Sequence, residues 1–512
     1  MKNIVVCSDG TGNADIKGRG TNVFKLFEAV NLHDHEADPA RCRQVAFYDD
    51  GVGTESVWFK KMIGGAVGWG LSENVRRLYA DIVRVYDPGS NSSPADRIYL
   101  FGFSRGAHTV RTLAGMIARC GQLDRRKFNS EQELIDMVGI VYKLYRGRSR
   151  AWLTRLFHPA VTLKKIEEFM AKYCLGDYAT PSKEVKIEFI GVWDTVDAVG
   201  FPVPGIADFW NNVIWQFKFK DRTLSAIVQC ARHALSIDDE RLTFHPTLWD
   251  ESIEKKGTTP PRIEQVWFSG VHSNVGGGYP KQGMSLITLN WMMAEAENRG
   301  LRFVPSDRNA YRDRRNVHDK LYDSRAGMAS IYRYRPRNIE KLCHDNGTEP
   351  KINLSVLERV AQGTLGYAPA NLPNDARVVA TRQFPGLDEG LKTVTMKLRS
   401  IKPDMLAELE SDISRRHHSN LVFFASAAAV LIAVALAWSS LAVVIATWLP
   451  DTNVIDKRML VYAVTAAGAV AVIAILGWGI GVRASWARKR MTTVASERWK
   501  SFRLDNYKQL MD

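Results

Sequence analysis

The sequence is poor in cysteine, and the six it has, at positions 7, 42, 120, 174, 230 and 343, never approach C-x-x-C spacing. That argues against a structural zinc site and against a dense disulfide framework, and it suits a reducing compartment. There is also no stripe of one charge. The net charge is +14, but the lysines and arginines are scattered among acids, which argues against a nucleic-acid groove and leaves an anionic lipid surface as the partner that a basic surface would suit. A charged leader followed by an apolar core is missing too: an apolar strand begins within about four residues of Met1, so no secretory signal is expected.

One more absence sits in the first loop. The opening strand runs into Ser8-Asp9-Gly10-Thr11-Gly12-Asn13, and a strand-end Asp-Gly-Thr resembles the haloacid-dehalogenase phosphatase loop, in which an aspartate two residues earlier attacks phosphate. That position is Cys7, so the carboxylate nucleophile is lacking and the loop needs another role.

What is present is enough for a large fold. With 512 residues and 46% hydrophobic content, two domains, or one elaborated domain with an appendage, are expected. Apolar runs predict strands over Asn3–Cys7, Gln44–Tyr48, Arg97–Phe103, Lys186–Trp193 and Glu264–Phe268. Helical spacing predicts helices over Asn22–Val30, Ser72–Tyr86 and Thr223–Leu235. This alternation implies an α/β fold, with a mostly parallel sheet covered by helices on both faces and its chemistry at the carboxyl ends of the strands.

The third strand ends in Gly102-Phe103-Ser104-Arg105-Gly106, a G-x-S-x-G between strand and helix. Such a turn is so tight that side chains at the two glycines would collide with backbone, and it holds Ser104 out as a nucleophile. A serine needs a histidine to take its proton and a carboxylate to orient that histidine. His272, in VWFSGVHSNVGGGY, and Asp194, in IEFIGVWDTVDAVG, follow apolar runs in the order serine, acid, histidine. Asp238 and Asp239 also fall between them and remain alternative acids; His245 is a weaker base, and His108 reads as a packing residue.

A tetrahedral intermediate needs backbone donors. Arg105, after the nucleophile, supplies one, and Thr11 or Gly12 in the first loop is a candidate for the other, with Asp9 fixing that loop as Asx-turns do. No metal and no cofactor is required by this reading. Asp9 with Asp49 or Asp50 could hold a divalent ion, a less common use of such carboxylates than loop fixing.

Taken together, SDGTGN, YDDGVGT, GFSRGAHTVRTLAG, GVWDTVDAVG and WFSGVHSNVGGGY, followed by YDSRAGM and YAPANLP, resemble the bacterial and fungal α/β-hydrolase family of type VI secretion lipase effectors over roughly residues 1 to 375. The resemblance implies a phospholipase of the A type with Ser104, Asp194 and His272 as its triad, acting on membrane phospholipid. Two alternatives stay open: a carboxylesterase or peptidase with another substrate, and a catalytically silent membrane scaffold.

The expected organisation is a catalytic core over 1–300, an extension over 301–415 packed on it, and a C-terminal appendage. Insertions near 121–185 and 201–221 read as a cap, and the second interleaves Phe209, Trp210, Trp215, Phe217 and Phe219 with Lys218 and Lys220. Segments 421–449 and 459–482 carry no charged residue and exceed the roughly 20 residues that cross a bilayer, which predicts a two-helix transmembrane hairpin. Arginines before the first and after the second, including Arg483 and Arg488, then predict a multi-pass membrane protein whose catalytic domain and basic 483–512 tail both face the cytoplasm.

Overall fold

The computed structural model describes residues 1–10, 20–51, 67–90, 93–148, 163–175, 185–196, 222–254, 261–325, 332, 334–381, 387–401 and 406–436, with shorter runs between 440 and 502. Among the described residues, eight strands form one sheet: β1 Lys2–Ser8, β2 Arg43–Asp49, β3 Arg97–Phe103, β4 Ile187–Trp193, β5 Ala231–Ser236, β6 Ile263–Phe268, β7 Lys351–Asn353 and β8 Arg377–Val379. Their order is β2-β1-β3-β4-β5-β6-β7-β8, and every neighbouring pair is parallel. Parallel strands need crossovers, and here these place helices on both faces.

The two faces are separate cores. Ile4, Val6, Ile98, Leu100, Ile190 and Val192 point to one side and pack beneath the helices Val67–Val85, Arg105–Cys120 and Glu131–Arg148. Val5, Cys7, Tyr99, Phe101, Phe189 and Trp193 point to the other, against the helices Asn22–Ala29 and Gly283–Glu297. Alternate residues of one strand thus feed opposite cores, as the two-residue pleat requires.

Most predicted strands fall where expected. The exception lies between Thr223 and Leu235, where a helix was expected and β5 stands instead. All six residues of β5 are buried, so the strand shows no polar alternation, and its Ala-Arg-His-Ala-Leu composition reads as helical until β4 and β6 are seen to flank it. β7 and β8 are three residues each and come from the region after residue 300, so the sheet continues into that region.

The membrane hairpin is corrected. Among the described residues, no helix is long and apolar enough to cross a membrane, which removes the support for two spans and for a multi-pass protein with cytoplasmic ends. The first part of the helix Leu406–Leu436 carries Glu408, Glu410, Asp412, Arg415 and Arg416, followed by the polar His417-His418-Ser419-Asn420, so its apolar run starts only at Leu421. Within the described residues of this helix the apolar run covers Leu421–Leu436. Positions 437–439, 441–446, 448–458, 460–462 and 476–489 lie outside the described residues. Within the expected basic tail, Met491, Ala495, Arg498 and Trp499 are buried. The Trp499 indole donates to the Pro369 carbonyl at 2.9 Å, and Arg498 Nη2 donates to the Leu372 carbonyl at 3.0 Å.

Candidate active site

Three strand ends build the site. After β3, Ser104 adopts φ 59° and ψ −121°, a backbone conformation that non-glycine residues rarely hold without surrounding constraint. The constraint is visible. Ser104 N donates to the Trp193 carbonyl of β4 at 3.1 Å, and His108 N donates back to the Ser104 carbonyl at 3.3 Å. A Cβ at Gly102 would lie 2.6 Å from the Gly106 carbonyl oxygen. At Gly106 it would lie 2.0 Å from the Ser8 carbonyl oxygen. Both glycines are therefore sterically required, and the second one seats the serine turn on the end of β1. The following helix, Arg105–Cys120, buries Ala107, Val110, Leu113, Ala114 and Ile117 and points its N-terminus, where the macrodipole is positive, at the serine turn.

Asp194 follows β4 and also has positive φ, 40°. It is fully buried and accepts five hydrogen bonds. Oδ1 takes Ser236 N at 3.0 Å and Arg337 Nη1 at 2.7 Å; Oδ2 takes the Ser236 hydroxyl at 3.2 Å, Arg337 Nη2 at 2.8 Å and His272 Nδ1 at 2.6 Å. Burial alone would raise its pKa, but the Arg337 charge and hydrogen bonds, with those of His272, outweigh burial and hold the carboxyl far below the usual carboxylate range.

His272 follows β6 and opens the short helix His272–Gly276. Its ring lies 4.6 Å from the Phe103 ring centroid and 5.1 Å from that of Phe244, the latter edge-on. Because a carboxylate only accepts, the bond to Asp194 places the proton on Nδ1 and leaves Nε2 with its lone pair. Nε2 is buried and has no hydrogen-bond partner among the described residues. Burial lowers the His272 pKa, the Asp194 bond opposes this, and the net shift is downward, so the ring is neutral near pH 7.

The competing acids have other partners. Asp239 accepts from Arg241 Nε at 3.0 Å and Nη2 at 2.7 Å, and it meets His272 only through the backbone N–H, at 3.2 Å. Asp238 accepts from Gly270 N at 2.6 Å and from the Tyr367 hydroxyl at 3.0 Å, and burial pushes its pKa up to about 6. His245 Nε2 meets the Arg335 carbonyl at 3.0 Å, and His108 is buried in the helix after Ser104, with its pKa pushed down by burial to about 3.

At the first loop, Asp9 is 2% exposed and accepts from Gly10 N at 2.7 Å, from the Tyr48 hydroxyl at 2.9 Å and from the Thr21 hydroxyl. Asp49 accepts from the Ser8 hydroxyl at 3.0 Å and from Arg77. Thr11 and Gly12 lie outside the described residues, as does the aromatic segment at 201–221. Arg105 opens the helix after Ser104. Sequence reasoning missed Arg337: it is one arginine among several in RYRPRN, and no local pattern sets it apart.

A parallel sheet with helices on both faces, and serine, aspartate and histidine at the ends of β3, β4 and β6, is an α/β-hydrolase-like architecture. The comparison with known families narrows this: the chain belongs to the family described as "T6SS, Phospholipase effector Tle1-like, catalytic domain", which matches residues 2–295. Over 258 residues it is 27% identical to uncharacterized protein YEL023C of Saccharomyces cerevisiae, covering 48% of this chain and 32% of the yeast protein. Among solved structures it is similar to an uncharacterized protein from Pseudomonas aeruginosa, with a TM-score of 0.33 and 17% identity over 78% of this chain and 59% of that one. It is also similar to the Tle1 effector bound to the VgrG spike of the type 6 secretion system, with a TM-score of 0.27 and 16% identity over 55% of this chain and 52% of that one. The chain thus spans about a third of the yeast relative's length and between half and three-fifths of the two solved chains.

Proposed function

We propose that this protein hydrolyses acyl esters of phospholipids, as a serine hydrolase of phospholipase A type. Membership of a phospholipase effector family supports the substrate class. The observation that carries the mechanism is the buried pair His272 Nδ1–Asp194 Oδ2 at 2.6 Å, with Nε2 left without a hydrogen-bond partner among the described residues, on a sheet whose neighbouring strand end holds Ser104 at positive φ.

In this reading His272 Nε2 removes the proton from the Ser104 hydroxyl as Oγ attacks the ester carbonyl. Charge moves to the carbonyl oxygen, which the Arg105 N–H and a donor from the loop after β1 stabilise. The C–O bond to the lysophospholipid then breaks, and its oxygen takes the proton from His272. Water repeats the sequence on the acyl-Ser104 ester and releases a fatty acid. Asp194 stays ionised throughout and supports the transient imidazolium.

A fluorophosphonate probe, which reacts with an activated serine, tests the serine assignment, and product analysis on phospholipid tests the substrate. Labelling that disappears in Ser104→Ala, with fatty acid and lysophospholipid formed in equal amounts, is the expected result. Labelling at Ser104 with hydrolysis of short esters but not of phospholipid would make it a carboxylesterase. Folded protein that takes no label would favour the silent scaffold.

A further inference from the structure

We propose that Arg337, which lies beyond the residues matched by the catalytic-domain family, is a positioning residue for hydrolysis: it fixes the carboxylate that orients His272. This rests on the triad reading above, and it extends that reading to a part of the chain to which the family match assigns nothing.

The geometry is that of a clamp. Arg337 is 0% exposed, and its two terminal nitrogens bind the two Asp194 oxygens, at 2.7 and 2.8 Å. The same nitrogens reach further: Nη1 donates to the Ser236 carbonyl at the end of β5, and Nη2 to the Phe244 carbonyl, both at 2.5 Å. Phe244 in turn packs edge-on against the His272 ring. One guanidinium therefore ties the carboxylate bonded to the ring, the strand end beneath that carboxylate, and the segment whose aromatic side chain contacts the ring.

Arg337 is itself held in place. The Asn371 side chain donates to both the Arg337 carbonyl, at 3.0 Å, and the Ile237 carbonyl, at 2.9 Å. Asn338, the next residue, caps the helix Ile339–His344 through Lys341 N. Asn371 thus bridges the segment that carries Arg337 to the loop after β5 at Ile237.

Burying a guanidinium and a carboxylate together is costly in desolvation and is a poor way to gain stability alone. A serine-histidine-aspartate site needs only one bond from acid to imidazole, and the four further bonds to Asp194 leave its carboxylate no rotational freedom. The planar fork of arginine matches both oxygens at once, which a lysine ammonium cannot do. Removing the positive charge also changes what the ring senses. Among the described residues, the charged and titratable groups around His272 include Asp194 after β4, Asp239 and Arg241 after β5, and Arg337 behind Asp194, while His233 of β5 accepts from Thr195 N in the loop that carries Asp194.

The test uses Arg337→Lys and Arg337→Gln in the full chain. Three quantities are measured: kcat and KM on a short-chain phospholipid, the pH profile of kcat, and the His272 titration by NMR of histidine-labelled protein, assigned through His272→Gln. In Arg337→Gln we expect kcat to fall about 10²-fold with KM nearly unchanged, because a fully buried residue does not touch substrate and a small misplacement of the base is costly. The His272 titration and the acidic limb should both rise by roughly one pH unit, since a nearby positive charge is gone while the carboxylate remains. Arg337→Lys keeps the charge and loses the fork, so its limb should stay near that of the unmodified protein while kcat still falls.

Unchanged kcat in either folded variant overturns the proposal. So does an unmoved His272 titration in Arg337→Gln, which would mean a purely structural role. If Arg337→Gln does not fold, the lysine variant decides alone: kcat at the level of the unmodified protein overturns the proposal, and a fall with KM intact supports it. The NMR titration needs no substrate. An inactive unmodified protein would sink the phospholipase reading, while a shifted His272 in the variant would still support the clamp.

Discussion

A Cβ on Gly106 would stand 2.0 Å from the carbonyl oxygen of Ser8. The serine turn and the first loop are therefore in direct backbone contact, and the helix after Ser104 can approach β1 only because residue 106 has no side chain. Gly106→Ala should force the two apart, lowering stability by at least about 2 kcal/mol and activity by more than the stability loss explains. Thermal unfolding and kcat measured on the same preparation check this. An alanine variant with unaltered kcat would show that the contact does not position the site.

The two candidate acids separate by partner. Asp194→Asn replaces the carboxylate that accepts from His272 Nδ1–H with a neutral amide that has one acceptor oxygen instead of two, and strands the buried Arg337 charge, so kcat should fall by about 10⁴-fold. Stability should fall as well, by about 3–5 kcal/mol, as when one partner of a buried ion pair is removed. Asp239→Asn loosens Arg241 and the His272 backbone but leaves the ring bond, so its kcat should fall far less. The reverse ranking would move the acid to Asp239.

How far the site could be read in the sequence follows from what is local. G-x-S-x-G is legible because the tight turn demands glycines at fixed offsets, and Asp194 and His272 stand directly after apolar runs that become β4 and β6. The choice between Asp194 and Asp239 was not legible, since both follow strands and only the approach of His272, 78 residues along the chain, separates them. β5 was misread because a strand buried on both faces loses alternation, and β7 and β8 are too short to show any period. Arg337 needs the fold as well: its partners are 143 and 93 residues away.

Burial lowers the His272 pKa, and the general base must be unprotonated. The acidic limb of kcat/KM should therefore have its midpoint below the ordinary histidine value of about 6.5. A limb above that value would assign the base to a group raised by its surroundings.

Asp238 should set a pH dependence of stability. Its folded-state pKa is raised, to about 6, so its contribution is fully present below the unfolded carboxyl value and is lost as pH rises through 6. Asn at this position can still accept from Gly270 N and face the Tyr367 hydroxyl, without the buried charge. Asp238→Asn should unfold at a higher temperature than the unmodified protein at pH 8, with the difference gone by pH 4. A difference that does not change with pH would contradict the assignment.

The central claim is that Ser104 carries the acyl group. Rapid quenching of the protein with a short-chain phospholipid, followed by intact mass and peptide mapping, measures this directly. A mass increase equal to one acyl chain, located on the peptide that contains Ser104 and absent from Ser104→Ala, is the predicted result. Full turnover by Ser104→Ala, or an acyl group mapped to another residue, would contradict it.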